Sequence, residues 1–505
     1  MRSDCYDGYT ALSWYWITSQ KKNVIQDVLA SVSALIVAPQ GMPFCRDNQR
    51  MREEKSRLGE PAKDSIGAKS IAVIGSGIAG LSAAWLLSQR HQVTIFEKQD
   101  RIGGHSNTVD APVGDGAQPV DTGFIVYNEA NYPNLVALFE HLGVATDPSD
   151  MSFSVSLDCG RTEYGSRDLN AVFGQRRNVL SPGFWRMIGD IRRFYAEAPT
   201  ILAQGDRYRD VSLGDYLAAN RYGNAFIEDF ILPMGAAIWS TRADEMRNHP
   251  VETFVRFFAS HGLLQFDNRI PWRTVRGGSR EYVRRLTAGL GDRLRLGAGA
   301  RTVLRHGEGA TIIDGNGQKH SFDAVVIAAH GDDALTMLGD ADNLETQLLG
   351  AFRYTGNRAV LHSDRALMPR RRRVWSSWNY MGAAEQGASV TYWMNSLQSI
   401  DPATPLFVSV NPKFEPARDS IIREFDYSHP FFDLAALKAQ QDLWQLQGRR
   451  HTWFCGSYFG HGFHEDALQS GLAAAEGVGG VRRPWTVADE SGRIHLPPAM
   501  AEAAE

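Results

Sequence analysis

The pattern of apolar and polar positions changes abruptly near residue 69. Residues 1–66 carry no sustained period and end in the charged stretch Met51-Arg-Glu-Glu-Lys-Ser-Arg57, so they are expected to be a poorly ordered N-terminal extension. From Lys69 the order is an apolar run, Ile71-Ala-Val-Ile74, a glycine turn, a helical stretch from Ala79 to Arg90, and a second apolar run from Val93 to Phe96 closed by Glu97. Short runs that are apolar on both faces suit strands buried inside a parallel sheet, and the helical stretch between them supplies the crossover. The segment is a predicted βαβ unit.

Between about Asn131 and Arg269 aromatic-rich helical stretches dominate, including Asp215 to Ala219, Ala225 to Ile231 and Val251 to Leu264, so this region is expected to be mostly helical. Strand signals return at Thr302-Val-Leu304, Thr311-Ile-Ile313 and Ala324 to Ala329. Ala359 to His362, Ser389 to Trp393 and Phe407 to Val410 then read as a separate antiparallel sheet. Thr452-Trp-Phe-Cys-Gly456 and a helix from about Glu465 to Glu476 close the order. The tail from Val481, with Pro484, Pro497 and Pro498, is expected to be poorly ordered.

Composition narrows the function classes. With 43% hydrophobic and 22% charged residues the 505-residue chain is of ordinary globular type, and its net charge of −4 offers no basic field for nucleic acid. Four cysteines, Cys5, Cys45, Cys159 and Cys455, lie far apart without metal-ligand spacing, which argues against a zinc site or a disulfide framework and for a cytoplasmic setting. The longest apolar run, Val28 to Ala38, is about half of what a spanning helix requires.

The chemistry begins at Gly75-x-Gly77-x-x-Gly80, which follows a strand and opens a helix. There the glycines make a tight turn, admit a pyrophosphate and bring helix against strand. Glu97 ends the next strand 22 residues after Gly75, where a carboxylate takes ribose hydroxyls and repels a 2′-phosphate.

The continuation Glu97-Lys98-Gln-Asp-Arg-Ile-Gly103-Gly104-His105-Ser106 resembles the flavin-dependent amine oxidase and phytoene desaturase superfamily, in which a Gly-Gly pair after that Glu lies on the cofactor. Two further blocks fit: Asp121-Thr122-Gly123-Phe124, and Trp453-Phe-Cys-Gly456-Ser457 with Gly462-Phe-His-Glu465-Asp466-Ala467-Leu-Gln-Ser470-Gly471. In the second block a helix N-terminus directs its positive dipole end at the flavin. The resemblance implies non-covalent FAD, with contacts at Gly75, Gly77, Ile78, Ala79, Gly80, Glu97, Lys98, Gly103, Gly104, His105, Thr122, Gly123, Phe124, Val303, Gly456, Glu465, Asp466 and Ala467. It implies an α/β fold: a discontinuous GxGxxG, Rossmann-like, glutathione-reductase-type FAD-binding domain (67–130, 270–335 and 448–480) and an α+β substrate domain of antiparallel sheet and helices (131–269 and 336–447). A tail, 481–505, would follow.

A narrower resemblance, carried by Pro233-Met-Gly-Ala-Ala-Ile-Trp239, Pro271-Trp-Arg-Thr-Val-Arg-Gly277-Gly278, Ala359-Val-Leu-His362-Ser-Asp364 and Trp375-Ser-Ser-Trp378-Asn-Tyr380, is to bacterial NAD/FAD-binding proteins often encoded near cyclopropane-fatty-acid synthase. It shifts the expected substrate toward an acyl lipid. The implied activity is removal of a hydride from a C–H of a hydrophobic substrate. The alternatives are amine oxidation with dioxygen, a non-redox flavoprotein isomerase, and an inactive FAD-binding scaffold.

Two departures from the superfamily matter. Arg358 or Asn357 stands about where amine oxidases place a lysine near the flavin, and Gly104-His105 replaces a frequent Gly-Arg. His105 and Arg358 are therefore the candidate catalytic residues. Cys455 reads as a packed core cysteine, and His461 and His464 as loop or substrate-side residues, so no metal is expected. Trp239, Phe254, Phe257, Phe258, Trp375, Trp378, Tyr380 and Trp393 supply aromatic surface suited to an apolar tunnel. The run Arg370-Arg371-Arg372-Arg373 reads as a solvated loop or as a peripheral contact with inner-membrane lipid.

Overall fold

The computed structural model describes residues 67–208, 210–239, 242–264, 270–382 and 389–497, so the expectation for residues 1–66, with Cys5 and Cys45, lies outside the described residues. Five parallel strands form the first sheet, in the order Leu294–Arg295, Gln92–Phe96, Ser70–Ile74, Ala324–Ile327 and Thr452–Phe454. They come from three separated stretches of chain. Alternation along the central strand explains its unbroken hydrophobicity: Ile71 and Val73 enter the core shared with the helix Ile78–Leu87, while Ala72 and Ile74 enter the opposite one with Phe96, Ile327 and Phe454. The helix His464–Gly479 lies against Ile78–Leu87 so closely that a Cβ on Gly471 would stand 2.3 Å from the Ala79 carbonyl oxygen.

A second sheet has seven strands, in the order Ile421–Phe431, Arg353–His362, Phe407–Val410, Ser389–Trp393, Trp378–Gly382, Phe153–Leu157 and Thr162–Gly165. Every pairing is antiparallel except that of Trp378–Gly382 with Phe153–Leu157. Residues 131–269 are mostly helical, as expected, and the last two strands are an addition that the sequence pattern did not foresee. Phe153-Ser-Val-Ser-Leu157 is a weak strand signal because its serines look solvent-facing, yet Ser154 and Ser156 are buried. Their hydroxyls donate to Asn379 Oδ1 at 2.7 Å and to Glu163 Oε1 at 2.9 Å. The helices of this region, among them Pro182–Ala203, Leu213–Ala219, Leu232–Trp239 and Val251–Ser260, pack their aromatic faces against Val155, Tyr380 and Val390 of the sheet.

The tail is not poorly ordered as far as it is described, to residue 497. Arg483, Glu490 and Ile494 are buried, and the Arg483 guanidinium donates to both oxygens of Glu476, each at 2.9 Å, and to Asn134 Oδ1 at 2.9 Å. Trp485 stacks on Trp85 with centroids 5.9 Å apart. These side chains fasten a proline-rich segment that has no periodicity of its own. Among the described residues no helix is long and apolar enough to cross a membrane.

Candidate active site

A cavity of about 600 Å³ opens at the C-terminal end of the parallel sheet, the usual ligand position in such sheets. Its floor is the turn between Ser70–Ile74 and Ile78–Leu87. Gly75 has φ +102°, and a Cβ there would stand 2.5 Å from the Ala328 carbonyl oxygen; a Cβ on Gly80 would overlap the Gly75 carbonyl oxygen at 2.0 Å. At Gly77 the same construction meets only open space. Gly77 also begins the helix with no side-chain cap, which leaves its first N–H groups for an anionic ligand. The tight turn at Gly75 and the close helix–strand packing at Gly80 match two of the expected tasks, and Gly77 leaves room for a ligand.

Glu97 closes one side. Its Oε2 accepts from Ser76 N at 2.9 Å and Ser76 Oγ at 2.6 Å, and its Oε1 accepts from Gln99 N at 2.9 Å. The carboxylate is thus oriented before any ligand arrives. Gly104 lies over Gly77, where a Cβ would be 3.0 Å from the Gly77 Cα, and a Cβ on Gly123 would overlap the His105 carbonyl oxygen. Phe124 N donates to that oxygen at 2.7 Å.

His105 stacks on Tyr427, with ring centroids 4.9 Å apart, and packs at a tilt against His429 at 5.3 Å. Burial, reinforced by the neighbouring His429, holds its pKa well below the ordinary value, so the imidazole is neutral at pH 7. Burial likewise lowers His429 to about 4, and His261 and His464 to about 3. His105 Nε2, His261 Nε2, Trp378 Nε1 and the Tyr458 hydroxyl are buried without a hydrogen-bond partner among the described residues, and all four residues line the cavity. Buried polar atoms in that condition favour a ligand with complementary polar groups.

The other end of the cavity is mostly apolar, lined by Met151, Ile238, Trp239, Phe257, Leu263, Trp272, Trp378 and Tyr392, with the neutral His261 stacked on Phe257 at 3.9 Å. Of the aromatic residues expected to form a tunnel, Trp239, Phe257 and Trp378 do. Phe254, Phe258 and Tyr380 are core residues, and Trp375 packs with Met368, Phe407 and Trp393 away from the cavity.

Gly75, Gly77, Ile78, Ala79, Glu97, Lys98, Gly104, His105, Gly123, Phe124, Gly456 and Ala467 all line the cavity. Gly80, Gly103 and Thr122 stand behind the wall. Gly103 N donates to the Ser76 carbonyl oxygen at 3.0 Å, and the Thr122 hydroxyl lies 2.9 Å from that of Tyr427.

Four expected residues are corrected. Val303 is a core residue, and Gly299 and Ala300 line the cavity instead. Glu465 faces the helix Pro133–Leu142 and accepts from Asn134 N and Leu135 N, each at 3.0 Å. Asp466 caps its own helix, accepting from Phe463 N at 2.7 Å. Arg358 points away from the cavity, because side chains alternate along Arg353–His362. Its inward neighbour Asn357 reaches His429 Nδ1 at 3.1 Å, while Arg358 pairs outward with Glu415 at 2.8 Å and Glu424 at 3.0 Å.

Cys455 is buried, and burial pushes its thiol pKa up, as a packed core cysteine should behave. His461 and His464 line the cavity, and no group of potential ligands among the described residues could hold a metal. Tyr427, His429, His330 and Tyr354 also line it without having been expected. The signal for the first two was the alternation Phe425-x-Tyr427-x-His429-x-Phe431, which marks a strand with an aromatic face.

The family model for flavin containing amine oxidoreductases matches residues 78–376. The Mycobacterium tuberculosis protein AofH, named as a flavin-containing monoamine oxidase, is 27% identical over 265 residues, covering 51% of this chain and 56% of AofH. The match therefore spans just over half of that relative. Among solved structures, a putrescine oxidase variant superimposes with a TM-score of 0.59 at 17% identity, over 82% of this chain and 99% of the other. A fatty acid isomerase of P. acnes that produces CLA gives 0.57 at 16% identity, over 83% and 98%. These two likenesses carry the mixed α/β fold. With more than half of its length matched by the family model, the chain belongs to the flavin containing amine oxidoreductase family.

Proposed function

We propose that this chain holds FAD non-covalently and removes a hydride from a C–H of a hydrophobic substrate of the acyl-lipid class. The observation that carries the reading is the apolar far end of the cavity. The carboxylates along its wall, Glu97, Asp332, Asp333 and Asp426, belong to the dinucleotide turn, the helix Gly331–Met337 and the strand Ile421–Phe431, not to the segments that bring Met151, Ile238, Trp239, Phe257, Leu263, Trp272, Trp378 and Tyr392. Lys98, beside the dinucleotide turn, is the only lysine among the described lining residues.

The residues fit an FAD. The open space at Gly77 and the uncapped first N–H groups of the helix would hold the pyrophosphate, and Glu97 would accept from the ribose. Bound FAD supplies a two-electron acceptor. The chain supplies the rest: aromatic walls exclude water, and His105, neutral and with Nε2 unpartnered, offers one hydrogen-bonding atom at the cavity wall. Positioning by packed side chains, rather than a charged general base, is what this arrangement can do.

Likeness to AofH favours a second reading, amine oxidation with dioxygen, since π faces such as Trp239 and Trp378 can also hold an ammonium. Acid precipitation followed by chromatography of the supernatant tests the cofactor. The expected outcome is free FAD, and flavin retained in the pellet would contradict the non-covalent assignment. Peroxide release with a panel of primary amines and polyamines tests the two readings, and silence is expected.

A further inference from the structure

The loop carrying Arg370–Arg373 lies against the segment 173–180, and one buried carboxylate joins them. Glu163 accepts from Arg370 N at 2.8 Å through Oε1 and from Arg371 Nη1 at 2.6 Å through Oε2. Its backbone N donates to Gln175 Oε1 at 2.8 Å, and its carbonyl accepts from Asn178 Nδ2 at 3.1 Å. Arg371 is consumed by this joint, so the arginine run is not a uniformly solvated loop.

What the joint leaves outside is cationic. Arg176, Arg177, Arg370, Arg372 and Arg373 are exposed and form no ion pair with a carboxylate among the described residues. Arg372 lies over the Trp375 ring at 4.8 Å. Residues 158–186 and 364–373 together hold ten arginines against four carboxylates, in a chain whose net charge is −4. Positive charge therefore outweighs negative in these two joined stretches, although Asp229 also lies near Arg161 and Asp158.

An apolar tip stands within them. Leu180 is 82% exposed and Val179 40% exposed, three and two residues after Arg177. A single exposed leucine needs no explanation. Flanked by guanidinium groups that pair with no carboxylate, it has the chemistry of a bilayer surface contact, in which the apolar chain enters the acyl boundary while the cations rest on phosphates. The phosphates of a duplex nucleic acid would engage the arginines but offer no apolar phase to Leu180.

We propose that this face docks onto a bilayer bearing anionic phospholipid headgroups. The proposal does not depend on the substrate being a lipid, because the docking face and the cavity are separate sets of residues.

Co-sedimentation of the flavin-loaded protein with vesicles tests it. Binding is expected to vesicles of equal parts phosphatidylglycerol and phosphatidylcholine, weakening as salt is raised, and not to phosphatidylcholine alone. The double variant Arg372→Gln/Arg373→Gln is expected to lower the partition coefficient about 30-fold, and Leu180→Ser roughly tenfold. Arg176→Gln/Arg177→Gln is a second charge pair with the same expectation, and the flavin absorbance of each variant reports that it has folded. Equal binding to both vesicle types, or wild-type binding by both arginine double variants, would overturn the proposal. Binding of short duplex DNA that survives Leu180→Ser and displaces the protein from vesicles would overturn it too, in favour of a general polyanion site.

Discussion

Phe124 and His464 stack face to face, with ring centroids 3.8 Å apart and planes 8° apart. They come from opposite ends of the described chain, one from the segment after Asp121 and the other from the first turn of the helix His464–Gly479. The contact joins two distant stretches of chain that line the cavity. His464 Nε2 also lies 2.7 Å from the Tyr282 hydroxyl, and burial holds its pKa near 3, so the ring is neutral. His464→Leu keeps an apolar body and removes the hydrogen-bonding nitrogen. It is expected to cost about 1–2 kcal/mol in urea unfolding and to loosen flavin retention on a desalting column.

The depressed histidines predict acid lability with a definite sign. His429, His261 and His464 have folded pKa values of about 4, 3 and 3, below the ordinary 6.5, and His105 is lowered as well. Between pH 6.5 and about 4 the unfolded chain binds protons that the folded one refuses. Stability is therefore fully present above pH 6.5 and is lost as pH falls through that window, at about 1.4 kcal/mol per pH unit for each such histidine. Urea midpoints at pH 5, 6 and 7 check this, and His429→Gln should reduce the slope by one histidine's share.

Arg358→Ala should leave turnover and flavin content unchanged. Its guanidinium pairs with Glu415 and Glu424 on the outer face of the sheet, and exposed pairs of that kind contribute about 0–1 kcal/mol. A large loss of turnover with flavin retained would restore the arginine to the site.

Glu97→Gln removes the charge of a carboxylate that accepts three hydrogen bonds from Ser76 and Gln99. Hydrogen bonds to charged groups contribute about 1.5–3 kcal/mol, so the dissociation constant for FAD is expected to rise roughly 10–100-fold. Equilibrium dialysis of the apoprotein with FAD reads this directly.

How much was legible followed the range of the interactions. Gly75-x-Gly77-x-x-Gly80 and Glu97 could be read because strand, turn, helix and strand are consecutive, and each glycine answers to a neighbour a few residues away. Arg358 was misplaced by a single step: on a strand, adjacent residues face opposite sides, and Asn357 took the inward position. Tyr427 and His429 were invisible as site residues because their strand reaches the cavity only through pairing with Arg353–His362, far away in sequence. Glu465 lies in the expected block but caps a different helix. That partner choice is tertiary and leaves no local mark.

The measurement that bears most directly on the account is an anaerobic titration of the flavin's visible absorbance with methylated or unsaturated phospholipid and, in parallel, with amines. The account predicts that the flavin bands bleach with lipid and not with amine. Bleaching by an amine, with lipid inert, would contradict it.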